Sequence, residues 1–502
     1  MKLNTTSQYA ALIEHALRDK VEPEVQTSEA REAIDLIRLT LKELCKREGP
    51  AKDILRRYIN DGNALYSEIG DHLADHQPNG IGSSSDGLED HDFDSLAQKW
   101  DALTEKMVVA CTRLTQSTKL AQDHIELYLR KAAEWEYGYL NEIEQLELEQ
   151  KPNLVTSPPG TIRTITKDFL QNFLNSVRGP LTVLSLAPVA GGYSNQTFLC
   201  TVEHESGNFE HLAVRKSNPR VIAPFLDLNQ EFILLEALVQ AGYPVPRPID
   251  LGHHVDGIDD TFYTMEKLNG RLAGSFFDYE ASKLSKPVLL NLADLLARLH
   301  QIPLNAFDPL IKICRAEAVK HETVEDCCRR NLKNLREHME KFEHLSSPYV
   351  IWMLNWLEHN IPTDKRRPVM THGDFNVHNV LADSDDKITG VLDWECAEFG
   401  APEQDLAYMK ANVSAHMNWD EFIQQYRASG GSEVSSQCMT FCYGYTALRV
   451  AIALLRKNWD IQQYNTDDLR FVLIQFKFTH GMFKLGLDSI SSPGTIINND
   501  SL

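Results

Sequence analysis

His372-Gly373-Asp374-Phe375-Asn376-Val377-His378-Asn379 is the stretch on which the reading of this chain turns. It sets a carboxylate two residues after a histidine, and an amide five residues after that carboxylate. Transfer of a phosphoryl group to a hydroxyl asks for such a set. A carboxylate must meet the attacking hydroxyl, take its proton and aim its oxygen at phosphorus, and an amide oxygen nearby can hold a magnesium ion. On this reading Asp374 is the base and orienting group and Asn379 a metal ligand. The following residues, VLADSDDKITGVLDWE, read as strand, polar turn and strand, with Asp383 to Asp386 at the tip. A tight hairpin returns Asp393 to the neighbourhood of Asn379, where a second hard oxygen ligand completes a magnesium site. Glu395, two residues on, reads equally as a ligand of a second metal or as a structural carboxylate.

The spacing H-x-D-x-x-x-x-N followed by a metal-binding Asp is that of a kinase catalytic loop and its D-F-G segment, here written Asp393-Trp394-Glu395. The nucleotide side is sought upstream. Ala190-Gly191-Gly192-Tyr193-Ser194-Asn195 joins two strand-like runs. Its glycines permit close backbone approach, and its N–H groups with the Ser194 hydroxyl can cradle phosphates. Leu212-Ala213-Val214-Arg215-Lys216 then brings a cation to a strand end, and Glu231 on the next helix can pair with it. Strand alternation puts Arg215 and Lys216 on opposite faces, so only one of them faces phosphate.

Working outward, β-type runs fall at Leu181 to Ala187, Thr197 to Glu203, Leu212 to Arg215 and Phe262 to Glu266, with a helix from Asp227 to Gln240. From Leu289 the pattern is mostly helical. Residues 151–161, KPNLVTSPPGT, read as a boundary, because their prolines and glycine cannot continue a helix. Residues 1–150 read as all helical. Apolar stripes run through Ile34, Ile37, Leu41 and Leu44, through Ile54 to Leu65, through Leu96 to Leu114, and through Ile125 to Leu146. The Gly- and Ser-rich stretch HQPNGIGSSSDGLEDHD interrupts them. The expected order is a helical bundle (1–150), a linker (151–161), a small nucleotide-binding lobe (162–269), a larger helical lobe with the catalytic and substrate site (270–490), and a tail (491–502).

Composition excludes some partners. Of the residues 43% are hydrophobic and 24% charged, as in ordinary globular proteins. A net charge of −21 without a basic stripe speaks against nucleic acid. The nine cysteines show no CxxC pair, which fits reduced thiols in a cytosolic protein. The opening MKLNTTSQYAALIEHAL is too polar for a signal peptide, and no apolar run reaches membrane-spanning length, so a cytoplasmic protein without membrane contact is expected.

The motifs GGYSNQTF, LAVRKSNP, GYPVPRPIDLG, YTMEKLNGR, LADLLARLH, THGDFNVHNVL and VLDWECAEFGAPEQDLAYM together resemble the aminoglycoside phosphotransferase and choline kinase superfamily, over roughly residues 165–480. The nearest likeness is to the branch associated with acyl-CoA dehydrogenases. The resemblance implies an α+β, bilobal protein-kinase-like fold and MgATP as phosphoryl donor to a small-molecule hydroxyl. It implies Arg215 as the strand cation, the segment from Met265 and Glu266 to Asn269 as the hinge meeting adenine, a structural role for His372, and Asp405 as support for the catalytic loop. Gly191, Gly192, Ser194, Asn195, Arg215 and Glu231 complete the expected nucleotide site. Gly400-Ala401-Pro402 departs from the Gly-Asp-Pro frequent in that branch. The branch points to a hydroxyacyl thioester as acceptor, whereas the acidic composition suits an amino sugar or amino alcohol. A noncatalytic nucleotide-binding scaffold is the other class of reading. For the helical region, a plain packing role, capping of the substrate cleft, self-association and recruitment of a partner protein all stay open.

Overall fold

The computed structural model describes residues 50–73, 92–145, 165–189, 195–217, 226–253, 261–274, 284–342, 346–463 and 470–491, with Ile13 and Ile37 as isolated positions. The rest of the helix read through Ile34 to Leu44, the linker 151–161, almost all of the Gly- and Ser-rich stretch and of the tail, and Gly191, Gly192 and Ser194 lie outside the described residues.

The described chain begins with α1 (Pro50–Leu73), α2 (Phe93–Thr115), α3 (Gln122–Glu144) and α4 (Lys167–Arg178). Then come β1 (Leu181–Pro188), β2 (Gln196–His204), β3 (Phe209–Lys216), α5 (Leu228–Gln240), β4 (Pro248–Gly252), β5 (Phe262–Glu266) and β6 (Arg271–Leu272). After α6 (Lys286–His300), α7 (Asp308–Ile313), α8 (Val324–Phe342) and α9 (Pro348–His359) follow the short strands β7 (Val369–Thr371), β8 (Val380–Ala382), β9 (Ile388–Val391) and β10 (Glu398–Gly400). The helices α10 (Glu403–Ser414), α11 (Trp419–Ala428), α12 (Ser436–Gln462) and α13 (Arg470–Ser491) close the order. This is the α+β kinase-like order expected: a helical region, a sheet-rich part, then a larger helical part.

Two compact units divide the chain. One comprises Met1–Gly160, Arg336–Asn360 and Ala447–Pro493; the other comprises Thr161–Leu335, Ile361–Thr446 and Gly494–Leu502. The first is a helical assembly whose members are not consecutive. Residues 336–360 and 447–490, which chain order assigns to the larger lobe, gather with the N-terminal helices. Leu96, Trp100, Leu103, Met107 and Leu114 of α2 are buried at helical spacing. Trp100 stacks on Trp135 of α3 at 4.5 Å. Trp135 also closes on α1, donating its indole N–H to the Tyr58 carbonyl at 2.7 Å, and a Cβ at Gly62 would lie 2.6 Å from its ring. Only glycine lets α1 and α3 approach so closely. On the other side α3 meets α9. Glu136, fully buried, accepts from the Ser347 hydroxyl at 2.7 Å and the Tyr349 N–H at 3.0 Å. A carboxylate there answers the unpaired N–H groups of the first turn of α9. Glu126 likewise accepts the Trp352 indole N–H at 2.7 Å.

In the second unit β1-β2-β3-β5-β4 form one antiparallel sheet. Alternation decides its faces. Phe198, Val202, Leu212, Val214 and Phe262 pack with Leu170, Phe173 and Leu174 of α4 in one core. The opposite face carries Leu199, Ala213 and Met265 in one row, and Thr197, Arg215 and Tyr263 in the next. A capping box of Asp227 and Gln230 starts α5.

Among the described residues one helix, Ser436–Gln462, is long and apolar enough to cross a membrane by length and composition, contrary to the expectation that no run would be; 72% of its apolar window is buried inside the protein. Eight cysteines are described, all free and six of them buried.

Replacing Glu136 by Ala is expected to lower the free energy of unfolding by about 2–3 kcal/mol, as for the loss of a buried charged hydrogen-bond acceptor. Urea unfolding read by tryptophan fluorescence measures it.

Candidate active site

Strand β7 delivers the chain to His372, and the turn that follows is one only glycine can make. Gly373 has φ +77, and a Cβ there would lie 2.1 Å from the Cys396 carbonyl oxygen. Asp405, in the first turn of α10 and fully buried, holds this turn from behind. It accepts the N–H of His372 at 2.9 Å and of Gly373 at 2.8 Å, and lies 3.2 Å from His300 Nε2. Burial alone would raise its pKa, but His300 and these N–H donors hold it below the ordinary carboxylate value. Nδ1 of His372 accepts the Asp374 N–H at 3.2 Å, so the ring proton sits on Nε2, 2.9 Å from the Leu392 carbonyl. Burial lowers the pKa of His372 and keeps it neutral. The imidazole thus ties the loop to the strand beyond the hairpin.

That hairpin sets the next relation. Val380 pairs with Val391, and the Leu392 N–H donates to the Asn379 carbonyl at 2.8 Å. Asn379 thus faces Leu392, and Asp393 is the next residue, in the left-handed conformation at φ 66 and ψ 63. The Asn379 amide donates to the Asp374 carbonyl at 3.0 Å and to Asp374 Oδ2 at 2.8 Å, which turns its own carbonyl oxygen away from the carboxylate. Asp374 Oδ1 is buried without a hydrogen-bond partner, and His378 Nε2 stands 3.6 Å from it. Burial pushes the pKa of Asp374 up, but the charge and proximity of His378 and a hydrogen bond from Tyr408 bring it down to about 2. The carboxylate is ionised at neutral pH.

The amide oxygen of Asn379 and the carboxylate of Asp393 are both hard donors on adjoining chain segments, and this set fits magnesium. Among the described residues no group of three or more His, Cys, Asp or Glu is placed to hold a metal. A magnesium ion bound by one or two protein oxygens plus phosphate and water needs no such cluster.

On β3 the alternation resolves the basic pair. Arg215 points to the site face, its Nε 3.0 Å from Glu231 and its Nη2 bonded to Asp393 Oδ1 and, at 2.9 Å, to Glu395 Oε2. Lys216 is buried toward the other face, its ammonium 3.1 Å from the Ser217 carbonyl. Glu231 also receives the Tyr263 hydroxyl and the Trp394 N–H, while burial raises its pKa against the pull of Arg215. Asn195 donates its amide to Glu395 Oε2 at 2.7 Å. Met265 sits beside Ala213 and Leu199 in an apolar row, and the Glu266 N–H is used by the Arg247 carbonyl at 2.9 Å, with its side chain exposed.

The structure thus brings together Asp374 with Asn379, and Arg215 with Glu231, Asp393 and Asn195 by way of Glu395. Met265 and Glu266 lie further along the same sheet. Sequence reasoning had not singled out Leu199 and Ala213, although alternation from Arg215 picks them out. It also passed over Tyr408, one helical turn beyond Asp405 on α10, and gave no role to His378.

Alanine at Gly373 is expected to cost at least about 1–3 kcal/mol of stability, the scale of one residue forced into a sparsely allowed conformation. Gly70 of α1, with open space around it, is the control. Its alanine variant should be as stable as the parent or more so. Thermal unfolding of both variants reads the difference.

Comparison with known proteins places these residues in context. "Acyl-CoA dehydrogenase family member 11" of Rattus norvegicus is 25% identical over 229 residues, 45% of this chain and 28% of that protein. The Homo sapiens protein of the same name is 26% identical over 231 residues, 45% of this chain and 27% of its own length. The matches thus span under a third of these relatives. Among solved structures, a protein assigned as an aminoglycoside phosphotransferase from Ralstonia eutropha superposes with a TM-score of 0.49 and 18% identity, covering 64% of this chain and 98% of the other. Macrolide 2'-phosphotransferase type I gives 0.42 and 18%, covering 61% and 98%. The profile of the phosphotransferase enzyme family matches residues 185–445, just over half of the chain, and the chain belongs to that family.

Proposed function

We propose that this protein is an ATP-dependent kinase of a small hydroxylated molecule, with Asp374 as the base. The observation that carries the reading is the hairpin register, which sets Leu392, the residue before Asp393, across from Asn379 while the Asn379 amide is bonded to Asp374. In this reading the apolar row of Leu199, Ala213 and Met265 receives the base, the chain at Met265 to Asn269 meets its edge, and Arg215, oriented by Glu231, faces the phosphates. Gly191, Gly192 and Ser194 are proposed on sequence grounds to approach the phosphates as well. Asn379 and Asp393 would hold magnesium, which supplies charge neutralisation on the phosphate oxygens when bound.

The acceptor hydroxyl bonds to the carboxylate of Asp374. As its oxygen forms the bond to the γ-phosphorus, the bond from phosphorus to the bridging oxygen breaks, ADP leaves with that electron pair, and the hydroxyl proton passes to Asp374. With its pKa near 2, Asp374 is a weak base, so its work is mainly to hold and aim the oxygen. The relatives bear acyl-CoA dehydrogenase names, which supports a hydroxyacyl thioester as the acceptor. The acidic chain also suits an amino sugar or amino alcohol, and the free buried thiols support a cytoplasmic setting. Self-association or a partner protein through the helical unit belongs to the same proposal.

The test is phosphoryl transfer from MgATP across hydroxyacyl-CoAs, amino alcohols, sugars and aminoglycosides, with wild type beside Asp374→Asn. One acceptor class should turn over, and the variant should lose about 10²–10⁴-fold in kcat. Absence of both nucleotide binding and transfer in folded protein with magnesium would contradict the proposal. The pH profile carries a second expectation. Since the Asp374 carboxyl is depressed, protonation silences it only as pH falls toward about 2. The rate for that acceptor should therefore show no acidic limb from Asp374 between pH 5 and 8, and a limb that Asp374→Asn abolishes would refute this.

A further inference from the structure

Glu395 has a place that neither a metal ligand nor a passive structural carboxylate describes. A single oxygen, Oε2, accepts both from Arg215 Nη2 at 2.9 Å and from Asn195 Nδ2 at 2.7 Å. These donors stand 180 and 200 residues away in the chain. Glu395 is itself buried, so its bond to Arg215 forms away from water and its bond to Asn195 is half-buried, and a charged hydrogen bond in such surroundings is strong and its loss costly. Asn195 immediately precedes β2, and Arg215 lies near the end of β3. The two strands are paired through Thr197 and Arg215. The backbone of Glu395 is used as well, its carbonyl accepting the Leu226 N–H at 2.8 Å just before α5, the helix that carries Glu231.

We propose that Glu395 is the positioning residue of the nucleotide site, with Asn195 as its partner. Through one carboxylate oxygen it fixes the start of β2 and the guanidinium of Arg215 against the segment that carries Asp393. Arg215 is shared among Glu231, Asp393 and Glu395. Glu231 Oε2 stands 3.0 Å from Nε as an ion pair without an aligned hydrogen bond, while Asp393 and Glu395 share Nη2. The orientation of the cation is thereby set before any phosphate arrives, and pre-setting a group in this way reduces the ordering that binding must do. Asn195 accordingly contributes to nucleotide binding by holding Glu395. This inference rests on the nucleotide site of the proposed kinase.

The experiment is a double-mutant cycle of Asn195→Ala and Glu395→Ala, with Glu395→Gln alongside, on the full chain. Two readouts are taken: calorimetric affinity for Mg-AMP-PNP over a range of magnesium concentrations, and amide hydrogen exchange at residues 195–199 in ligand-free protein. Each single Ala variant should weaken Mg-AMP-PNP by about tenfold, the scale of one hydrogen bond to a charged group. The double variant should be little worse than either, because the pair acts as one unit. Glu395→Gln, which keeps a carbonyl for Asn195 and gives up the charge facing Arg215, should fall between wild type and Glu395→Ala. Exchange at 195–199 should quicken in both Ala variants. Additive losses, unchanged exchange, or a Glu395→Ala defect that vanishes at saturating magnesium while Asn195→Ala has none would overturn the proposal. That last pattern marks a metal ligand. If wild type binds no Mg-AMP-PNP, the kinase reading fails on its own, and the exchange measurement still decides whether Glu395 anchors β2.

Discussion

At the mouth of the β8–β9 hairpin the N–H of Leu392 donates to the carbonyl of Asn379 at 2.8 Å. Twelve residues, 380–391, lie between the two, and this bond sets the ends of that excursion side by side. The amide of Asn379 reaches back to Asp374, and Asp393 follows Leu392. The Leu392 carbonyl takes the Nε2–H of His372, whose Nδ1 accepts the Asp374 N–H. Three groups of the proposed chemistry are thereby referred to one short stretch of paired backbone. A backbone ladder is a stiffer reference than mobile side chains, and a site built on such elements holds its geometry more closely.

Around this frame the charges are arranged unevenly. One guanidinium, Arg215, faces Glu231, Asp393 and Glu395. Glu231 responds to burial with a raised pKa, whereas Asp374 and Asp405, each given dedicated donors, are depressed despite burial. At Asp374 the neighbours His378 and Tyr408, and at Asp405 His300 and the loop N–H groups, outweigh burial, whereas at Glu231 burial together with the nearby Asp393 outweighs Arg215, Tyr263 and Trp394. Asp405 carries its charge behind the loop, where it orients two backbone N–H groups, and Asp374 carries its own at the front with one oxygen unpartnered. An excess of carboxylates over cations in a partly enclosed site is relieved by a divalent cation, which is the electrostatic reason to expect nucleotide to bind as its metal complex.

How much of this was legible in the sequence followed the distance over which each feature is encoded. The hairpin, the strands at β1, β2, β3 and β5, and α5 with its Asp227 cap are local patterns, and periodicity reveals them. Strand β4, Pro248–Gly252, escaped because it begins on proline and pairs only with β5 at the sheet edge, where proline is tolerated and alternation is weak. Alternation required Arg215 and Lys216 to part, but which one met Glu231 needed the register of β3 with its neighbours. The bond between Asn195 and Glu395 spans 200 residues and leaves no local trace. The helical unit shows the same limit. The stripes on α2 and α3 announce buried faces, yet nothing in a stripe says that residues 336–360 help to cover them.

The most direct test of the central claim is whether Asp393 and Asn379 hold the metal of a bound nucleotide. Manganese stands in for magnesium, and the free and bound ion are followed by electron paramagnetic resonance during titration with ATP. Wild type should form a ternary complex with manganese and ATP, and Asp393→Ala or Asn379→Ala should weaken it at least about tenfold, as the loss of one ligand interaction does. No ternary complex with folded wild type at millimolar ATP, or an equal one in both variants, would contradict the account.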